Sequence, residues 1–296
     1  MNTKKVLITG GSGFVGQHMS RLLLDWGYRV FSLQRNTLAS LPDGVDPIYI
    51  DLKDPKALKD LPRAWDFVIH LAGASIPSQF TSVDPVLLNV RMVMNLLEHL
   101  EDARVLLVSS CHVYAPSLCL RAEESPIIPQ GRYGLAKHLI EQMAGHYEHK
   151  LDIRIARPFN HLGPYQRQEL VIPSLLRRIR MSGSLDRSAI TMSGTNSTRD
   201  FVDVADVVAA YLAILQIEVP NHRVFNVCTG TPLTIKHVAD LALQILEIER
   251  EIAFEGHPNS ADDNPFVVGS PARLMSASNW RPHVPLRVSL ERMLLS

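Results

Sequence analysis

Residues 5–16 read "KVLITGGSGFVG", and this stretch decides the fold. A short apolar run leads straight into Gly10, Gly13 and Gly16, and an amphipathic helical pattern follows to about residue 26. Glycines at such a turn let a pyrophosphate approach the backbone, and the helix N-terminus offers it free N–H groups. A purely structural turn is the alternative. The order of strand, glycine turn and helix favours a dinucleotide site. The residues predicted to contact the dinucleotide here are Gly10, Gly13, Phe14, Val15 and Gly16.

The same alternation continues through the first half of the chain. Strands are predicted at "KVLITG", "YRVFSL", "PIYID", "DFVIHLA", "VLLVSS" and "DIRIARP", and helices near 14–26, 84–101 and 133–149. Strands that are apolar throughout are typical of a parallel sheet covered on both faces, so we expect a doubly wound α/β fold of the Rossmann type. After residue 160 the pattern loosens and proline becomes frequent. We therefore expect a dinucleotide-binding domain over 1–165, to which 196–230 returns, and a smaller, mainly substrate-binding lobe over 166–296.

The composition excludes several classes of protein. In 296 residues, Lys plus Arg and Asp plus Glu each number 30, so a polyanion-binding surface is not expected and neither nucleic acid nor a membrane is a predicted partner. The first residues carry no long apolar run, and we expect no signal peptide or membrane span. Cys111, Cys119 and Cys228 have no paired spacing. A zinc site or any other metal site is therefore not expected, and a reducing cytoplasm fits.

The end of the second strand distinguishes between the two nicotinamide cofactors. An NAD site places a carboxylate there, whereas this chain has Gln34, Arg35 and Asn36. A guanidinium suits the 2′-phosphate of NADP, although a solvated surface arginine fits the spacing equally well. The missing carboxylate favours NADP, with NAD as the alternative. Asp51, with Leu52 beside it, ends the third strand and is predicted to accept a bond from the adenine amino group; a plain strand-end or capping aspartate is the alternative.

Candidate catalytic residues follow the fifth strand. "VLLVSS" ends at Ser109 and Ser110, at the sheet edge where ligands of open α/β sheets bind. In the next helix Tyr133 and Lys137 lie one turn apart, beside an apolar stripe of residues 135, 136, 139, 140, 143, 144 and 147. A nearby ammonium, together with the positive nicotinamide ring of a bound cofactor, is expected to lower the tyrosine pKa from its usual value of about 10. By spacing alone such a pair is more often part of an ordinary helix surface. Its position after the glycine turn and after a strand that ends in serine favours a catalytic role.

Motifs along nearly the whole chain resemble one enzyme family, the extended short-chain dehydrogenase/reductases, in its nucleotide-sugar branch. Within that branch the chain is most similar to GDP-4-keto-6-deoxy-D-mannose reductases, which form GDP-D-rhamnose. The motifs that carry the resemblance are "TGGSGFVG", "DL" at 51–52, "HLAGAS" at 70–75, "VSSCHVY", "YGLAK", "RPFNHLGPYQ" at 157–166, "TRDFVDVADVVAAYLAIL" at 198–215, "VFNVCTG" at 224–230 and "NWRPHVPLRVSL" at 279–290.

The resemblance implies roles for individual residues. Tyr133 becomes the acid–base residue, Lys137 its helper and ligand of the nicotinamide ribose, and Ser110 the serine that holds the reacting oxygen. The remaining implied contacts are Leu71, Ala72 and Pro158 to the cofactor, and Asn160, Val171 and Arg199 to the nucleotide sugar. A turn residue, ordinary packing and a surface ion pair with Asp200 are the respective alternatives for the last three.

Two departures from the family pattern stand out. His112 occupies a position where relatives often carry an acidic residue, which argues against a dehydratase. Relatives also offer the diphosphate an arginine around Ser260, and this chain has none between Arg250 and Arg273.

Three functions follow from these observations. The first is NADPH-dependent reduction of a nucleotide-linked 4-keto-6-deoxy sugar, GDP-4-keto-6-deoxy-D-mannose above all, to GDP-D-rhamnose. The second is an NAD-dependent nucleotide-sugar epimerase or dehydratase. The third is a non-enzymatic dinucleotide sensor, which has no need of Ser110, Tyr133 and Lys137 together. Extra apolar residues on the helices near 84–101 and 133–149 predict a homodimer.

Overall fold

A seven-stranded sheet forms the centre of the molecule in the computed structural model, which describes residues 3–35, 37, 40–75, 77–181, 189–193, 196–255 and 264–295. Its strand order is β11-β6-β5-β4-β1-β2-β3, and every neighbouring pair is parallel. Its strands are β1 (Lys5–Thr9), β2 (Arg29–Gln34), β3 (Asp46–Tyr49), β4 (Ala64–His70), β5 (Asp102–Val108), β6 (Asp152–Pro158) and β11 (Val224–Val227). The fold is therefore the predicted Rossmann-type α/β fold.

Shorter strands and the helices complete the described chain. The helices are α1 (Phe14–Asp25), α2 (Asp84–His99), α3 (Gly131–Gly145), α4 (Val171–Met181), α5 (Val204–Gln216), α6 (Ile235–Ile245), α7 (Ala272–Ala277) and α8 (Leu286–Leu295). The remaining strands are β7 (Asn160–Leu162), β8 (Ile190–Ser193), β9 (Thr198–Arg199), β10 (Phe201–Asp203), β12 (Leu233–Thr234), β13 (Ile252–Glu255) and β14 (Phe266–Val267). Single 3₁₀ turns lie at Ala57–Asp60, Pro77–Gln79 and Cys111–Val113.

Alternate residues of β1 belong to different cores, because side chains along a strand point to opposite faces. Val6 and Ile8 pack with α1 and α5 on one face. Leu7 packs with α2 and α3 on the other face. All three side chains are fully buried, and burying each contributes about 1.5–3 kcal/mol. This two-sided burial is why the strand reads as an unbroken apolar run.

Burial on both faces does not extend to every predicted strand. β3 forms the sheet edge beyond β2, and Tyr49 is 55% exposed. Partly buried and exposed residues alternate along it. The prediction that "PIYID" is buried on both faces was therefore wrong. Along this edge strand, one of the two faces is exposed.

The seventh strand of the sheet, β11, comes from a later part of the chain than the other six. β11 pairs with β6 at the opposite edge from β3, and α5 packs on the same face as α1. Leu274 of α7 and Trp280 join that core as well, and the Trp280 indole donates to the backbone oxygen of Asp206 at 2.9 Å.

A third core lies outside the sheet. It contains the apolar faces of α4, α6 and α8 together with Ile190 and Ile252, from the paired strands β8 and β13. Asp200, fully buried, joins this region to the end of β11. Its carboxylate accepts bonds from the Thr229 and Gly230 amides at 2.8 Å each. Within the described residues, no helix combines the length and the apolar character needed to span a bilayer.

Candidate active site

The glycine turn after β1 has the geometry that a phosphate group needs. Gly10 has φ +77°, and a Cβ at Gly10 would lie 2.8 Å from the Ala72 amide nitrogen. A Cβ at Gly16 would lie 2.2 Å from the Gly10 carbonyl oxygen. Gly13 caps α1 in an extended conformation, and no described side chain caps that helix end. The first-turn N–H groups are therefore available to an anion, and the residues present fit a dinucleotide pyrophosphate.

A cavity of about 180 Å³ opens at this helix end. Its walls are the glycine turn with the first turn of α1 and, across from them, Tyr165 and Arg167. Phe14 stacks on His161, with ring centroids 5.9 Å apart. Sequence reasoning missed Tyr165 and Arg167, because only the course of the loop after β7 brings them here. Tyr165 has φ +68°, a conformation that no motif announces.

The end of β2 presents an arginine to solvent. The Gln34 side chain is buried and donates to Ser32 Oγ at 2.6 Å, so it points into the protein. Arg35 follows it and is exposed. Asn36, also predicted to contact the cofactor, lies outside the described residues, as does the segment around Ser260.

Four further predicted cofactor residues follow β3 and β4, and each makes a hydrogen bond within the protein. Asp51 accepts from the Lys53 amide at 3.0 Å, as expected for a turn aspartate. The Leu52 carbonyl accepts from Asn95 at 2.8 Å. The amides of Leu71 and Ala72 donate to the carbonyl and the hydroxyl of Thr9. Other atoms of these residues would have to make any contact with a dinucleotide.

Ser110, Tyr133 and Lys137 come together at the carboxyl end of β5. Ser110 is 5% exposed and caps the 3₁₀ turn Cys111–Val113. The Tyr133 phenol lies close enough for the Ser110 hydroxyl to act on its pKa. The Lys137 ammonium lies 5.9 Å from the centroid of the Tyr133 ring and donates to the Val108 carbonyl at 2.8 Å. The cluster therefore joins the end of a strand to the first turns of α3.

The electrostatics of this cluster differ from the prediction. Burial raises the pKa of Tyr133 to about 12, although the hydrogen bond from Ser110 acts to lower it. Burial also lowers the pKa of Lys137 to about 8, against the opposing charge of Glu141. In the protein alone the Lys137 ammonium therefore does not bring the pKa of Tyr133 below its ordinary value, and the lowering expected with a bound nicotinamide stays a prediction. Desolvation of the phenol outweighs an ammonium that is turned towards a backbone carbonyl.

The predicted apolar stripe of α3 is also partly wrong. Leu135 is 42% exposed, whereas Glu141 is buried. Ala136, Ile140 and Ala144 are buried as expected. The pattern failed at Glu141 because its carboxylate has a buried cationic partner, Arg157, which a hydrophobic pattern does not reveal.

His112 is part of the same cluster, a contact that sequence reasoning did not assign. Its Nδ1 lies 3.1 Å from Ser110 Oγ, and its ring meets the Tyr133 ring edge-on at 5.3 Å between centroids. Burial first, and then the charges of Arg199 and Arg121, lower the pKa of His112 to about 4. The signal in the sequence was the departure from an acidic residue at this position.

The other predicted substrate residues lie on three different elements, Asn160 on β7, Val171 on α4 and Arg199 on β9. Arg199, on β9, is close enough for its charge to act on His112, and its guanidinium donates to the Asn264 carbonyl at 2.8 Å. Asn160 follows Phe159, which packs with Cys111 and Tyr114. Val171 begins α4 and is 53% exposed. Pro158, a predicted cofactor contact, ends β6 and is buried between neighbouring strands.

Comparison with known proteins identifies relatives across the chain. Residues 6–228 match the model of the NAD dependent epimerase/dehydratase family. A GDP-6-deoxy-D-mannose reductase of Pseudomonas aeruginosa is 32% identical, with 99% of this chain and 96% of the relative covered. A UDP-arabinose 4-epimerase of Arabidopsis thaliana is 30% identical, with 97% of this chain and 77% of the relative covered.

Solved structures give the same picture. The structure described as RMD from Pseudomonas aeruginosa complexed with NADPH has a TM-score of 0.81 to this chain and is 30% identical to it. The match covers 99% of this chain and 98% of that one.

Proposed function

The chain belongs to the NAD dependent epimerase/dehydratase family, and we propose that it is an NADPH-dependent reductase of a nucleotide-linked 4-keto-6-deoxy sugar. The members of this family are nucleotide-sugar enzymes within the extended short-chain dehydrogenase/reductases. The specific reaction proposed is the reduction of GDP-4-keto-6-deoxy-D-mannose to GDP-D-rhamnose. The observation that carries the proposal is the meeting of three residues at the ligand edge of the sheet: Ser110 after β5, and Tyr133 and Lys137 one turn apart on α3, with Lys137 bonded to the carbonyl of Val108.

The protonation state of Tyr133 supports the direction of the reaction. With its pKa raised to about 12 by burial, the phenol keeps its proton at neutral pH. A phenol that holds its proton suits a step in which the reacting oxygen gains one, as the ketone oxygen does on reduction. Ser110 holds that oxygen by a second hydrogen bond, which strengthens as negative charge develops.

Lys137 has two proposed tasks. It holds the nicotinamide ribose, and it returns a proton to Tyr133 after each turnover. Its ammonium already bonds the Val108 carbonyl at 2.8 Å, which fixes its position at the strand end. Burial lowers its pKa to about 8, so the amine gives up a proton more readily than an exposed lysine.

The cofactor proposed is NADPH, which when bound supplies the hydride. The open N-terminus of α1 fits the pyrophosphate, and Arg167 stands across the cavity from it. Arg35 is exposed at the end of β2, where it is proposed to pair with the 2′-phosphate. No carboxylate occupies the neighbouring positions 34 and 36, so the ribose hydroxyls of an NAD would find no carboxylate acceptor there.

The sugar nucleotide is proposed to lie between the catalytic cluster and the second lobe. Arg199 contributes a positive charge beside His112, and Asn160 lies at the junction of the sheet with the lobe. Val171 is proposed to flank the nucleotide from the start of α4, where its side chain is available for contact. The similarity to the Pseudomonas reductase supports a GDP-linked substrate.

An epimerase is the second candidate. The observation that favours it is the 30% identity, over 97% of this chain, to a UDP-arabinose 4-epimerase. Ser110, Tyr133 and Lys137 would serve that reaction too, with an NAD retained through oxidation and re-reduction. Such an enzyme is expected to carry tightly bound NAD after purification, whereas the reductase is expected to bind NADPH reversibly.

The deciding experiment is to incubate the protein with NADPH and a panel of nucleotide 4-keto-6-deoxy sugars linked to GDP, UDP or dTDP. We expect stoichiometric oxidation of NADPH, fastest with GDP-4-keto-6-deoxy-D-mannose, and GDP-D-rhamnose as the product by NMR. No NADPH oxidation, together with interconversion of a nucleotide-sugar pair by the protein and NAD, would favour the epimerase.

We also propose that the protein is a homodimer in a reducing cytoplasm. Leu87 and Met94 of α2 and Leu135 of α3 are 59%, 37% and 42% exposed. These helices pack on each other on one face of the sheet, so an apolar surface faces outward, and a second copy of the chain would cover it. Sedimentation at micromolar concentration tests this, and Leu87→Glu is expected to give monomers.

A further inference from the structure

His112 lies against the hydroxyl of Ser110 and the ring of Tyr133, two residues on which the proposed reduction depends. Its Nδ1 is 3.1 Å from Ser110 Oγ, and its ring is edge-on to that of Tyr133 at an interplanar angle of 75°. Its carbonyl accepts from the Gln130 amide at 2.7 Å, and a Cβ at Gly134 would lie 2.4 Å from that carbonyl oxygen. The residue is therefore fixed between the turn that carries Ser110 and the start of the helix that carries Tyr133.

The Ser110 hydroxyl has one proton to donate and two lone pairs to accept with. One lone pair faces the His112 backbone N–H at 3.3 Å. If Nδ1 of His112 bears no proton, it accepts the serine proton. That proton is then used within the protein and does not reach a substrate.

The other tautomer leaves the serine proton available. With a proton on Nδ1, His112 donates into the second lone pair of Ser110 Oγ, and the serine hydroxyl points outward. We propose that His112 is a positioning residue, protonated on Nδ1, that holds Ser110 as a donor to the reacting ketone oxygen. This proposal rests on the reductase function proposed above and deepens it.

The surroundings of His112 agree with a positioning role rather than with proton transfer. Burial together with Arg199 and Arg121 lowers its pKa to about 4, so the ring is neutral at neutral pH and has a single N–H to place. The other neighbour of Nδ1 is the Cys111 sulfur at 3.8 Å. Burial raises the pKa of that thiol to about 12, so no thiolate competes strongly for the imidazole proton.

Two substitutions separate the hydrogen bond from the packing. His112→Phe keeps an aromatic ring against Tyr133 and removes Nδ1. His112→Asn places an amide N–H close to the position of Nδ1. In single-turnover NADPH oxidation with the keto-sugar, we expect the phenylalanine variant to be slower by about 10- to 100-fold, somewhat less than the loss of a direct oxyanion donor. NADPH affinity is expected to stay constant, and the asparagine variant to recover most of the rate.

A second background makes the test specific to Ser110. In Ser110→Ala there is no hydroxyl to orient, so adding His112→Phe is expected to cost less than about twofold. An equal loss in both backgrounds, or an asparagine variant as slow as the phenylalanine variant, overturns the proposal, since a structural role predicts both.

A spectroscopic readout does not depend on the reaction. Nitrogen NMR of histidine-labelled protein distinguishes the two tautomers, and the His112 signals are those lost in His112→Asn. A proton on Nδ1 supports the proposal, and one on Nε2 overturns it. If the wild-type protein reduces none of the keto-sugars, the reductase function fails, and this spectrum alone then decides whether His112 donates to Ser110.

Discussion

Arg157 on β6 grips the carboxylate of Glu141 on α3 with two parallel hydrogen bonds, Nε to Oε1 at 2.9 Å and Nη2 to Oε2 at 2.6 Å. The side chains are 7% and 6% exposed. Ser109, the neighbour of the proposed catalytic serine, donates to the same carboxylate at 2.5 Å. The Glu141 carboxylate therefore links α3, which carries Tyr133 and Lys137, to β6 through Arg157 and to the end of β5 through Ser109.

Glu141→Gln is expected to destabilise the protein by about 3–5 kcal/mol, because it leaves the Arg157 guanidinium buried without its counter-charge. The free energy of unfolding in urea measures this. The matched control is Asp240→Asn, which breaks the exposed pair of Lys236 and Asp240 at 2.8 Å. That pair spans one helical turn in water and is expected to cost about 0.3–0.5 kcal/mol. Equal losses for the two variants would contradict a structural role for the buried pair.

Tyr133→Phe is expected to lower turnover by about 10²–10⁴ while NADPH affinity changes little, since only the proton donor is lost. Single-turnover NADPH oxidation and cofactor titration measure the two effects. Lys137→Met is expected to reduce both rate and affinity, because the ammonium has a task in each. A Tyr133→Phe variant with near-normal single-turnover rate would remove Tyr133 from the reaction.

Arg35→Ala is expected to weaken NADPH binding and to leave NADH binding nearly unchanged, because only NADPH carries the 2′-phosphate. Comparing the two dissociation constants at low and moderate salt tests this, since a charge pair weakens with ionic strength. Arg21→Ala, another arginine change in the same domain, provides the control. A similar loss for both cofactors would show that Arg35 does not hold the phosphate.

Stability is expected to fall in mild acid because of His70. This residue is 4% exposed, its Nδ1 is 2.9 Å from Thr9 Oγ1, and burial followed by the charge of Lys137 lowers its pKa to about 3. Below pH 6.5 His70 therefore binds a proton in the unfolded chain but not in the folded protein. The free energy of unfolding decreases as the pH falls from about 6.5 to about 3. For this group the decrease is at most about 1.4 kcal/mol per pH unit.

His70→Asn removes the titrating group and keeps a hydrogen-bonding side chain for Thr9. The slope of unfolding free energy against pH is expected to become shallower by about one proton in this window. His222 is exposed, and His222→Asn is the control, expected to leave the slope unchanged. If His70→Asn leaves the acid slope as steep as in the wild type, His70 is not the group responsible.

Local patterns were enough to predict six of the seven strands of the sheet, β1 to β6, and the reason is the order of elements in the chain. The glycine turn, β1 and α1 are contiguous in sequence, and the alternation of buried strands with helices follows from one repeating unit. The same locality brought Tyr133 and Lys137 together, because residues four apart on a helix are neighbours.

Features that depend on distant parts of the chain were missed or wrong. The rise in the Tyr133 pKa comes from enclosure by several segments, which a four-residue spacing does not contain. The approach of Arg199 to His112 joins β9 to the turn after β5, and Glu141 owes its burial to Arg157 on another strand. Each required knowing how the loops cross the sheet.

The pairing of β11 with β6 has a consequence for synthesis on the ribosome. β6 ends at Pro158, whereas its partner begins only at Val224, after the helices α4 and α5 and the short strands β7 to β10 have been made. Throughout that interval the outer edge of β6 has backbone N–H and C=O groups that no neighbouring strand of the sheet can pair with, because β11 has not yet been made. Such an edge readily recruits strands of other chains. The growing polypeptide is therefore most vulnerable to misassembly midway through translation, and a chaperone that shields β6 would act in that window.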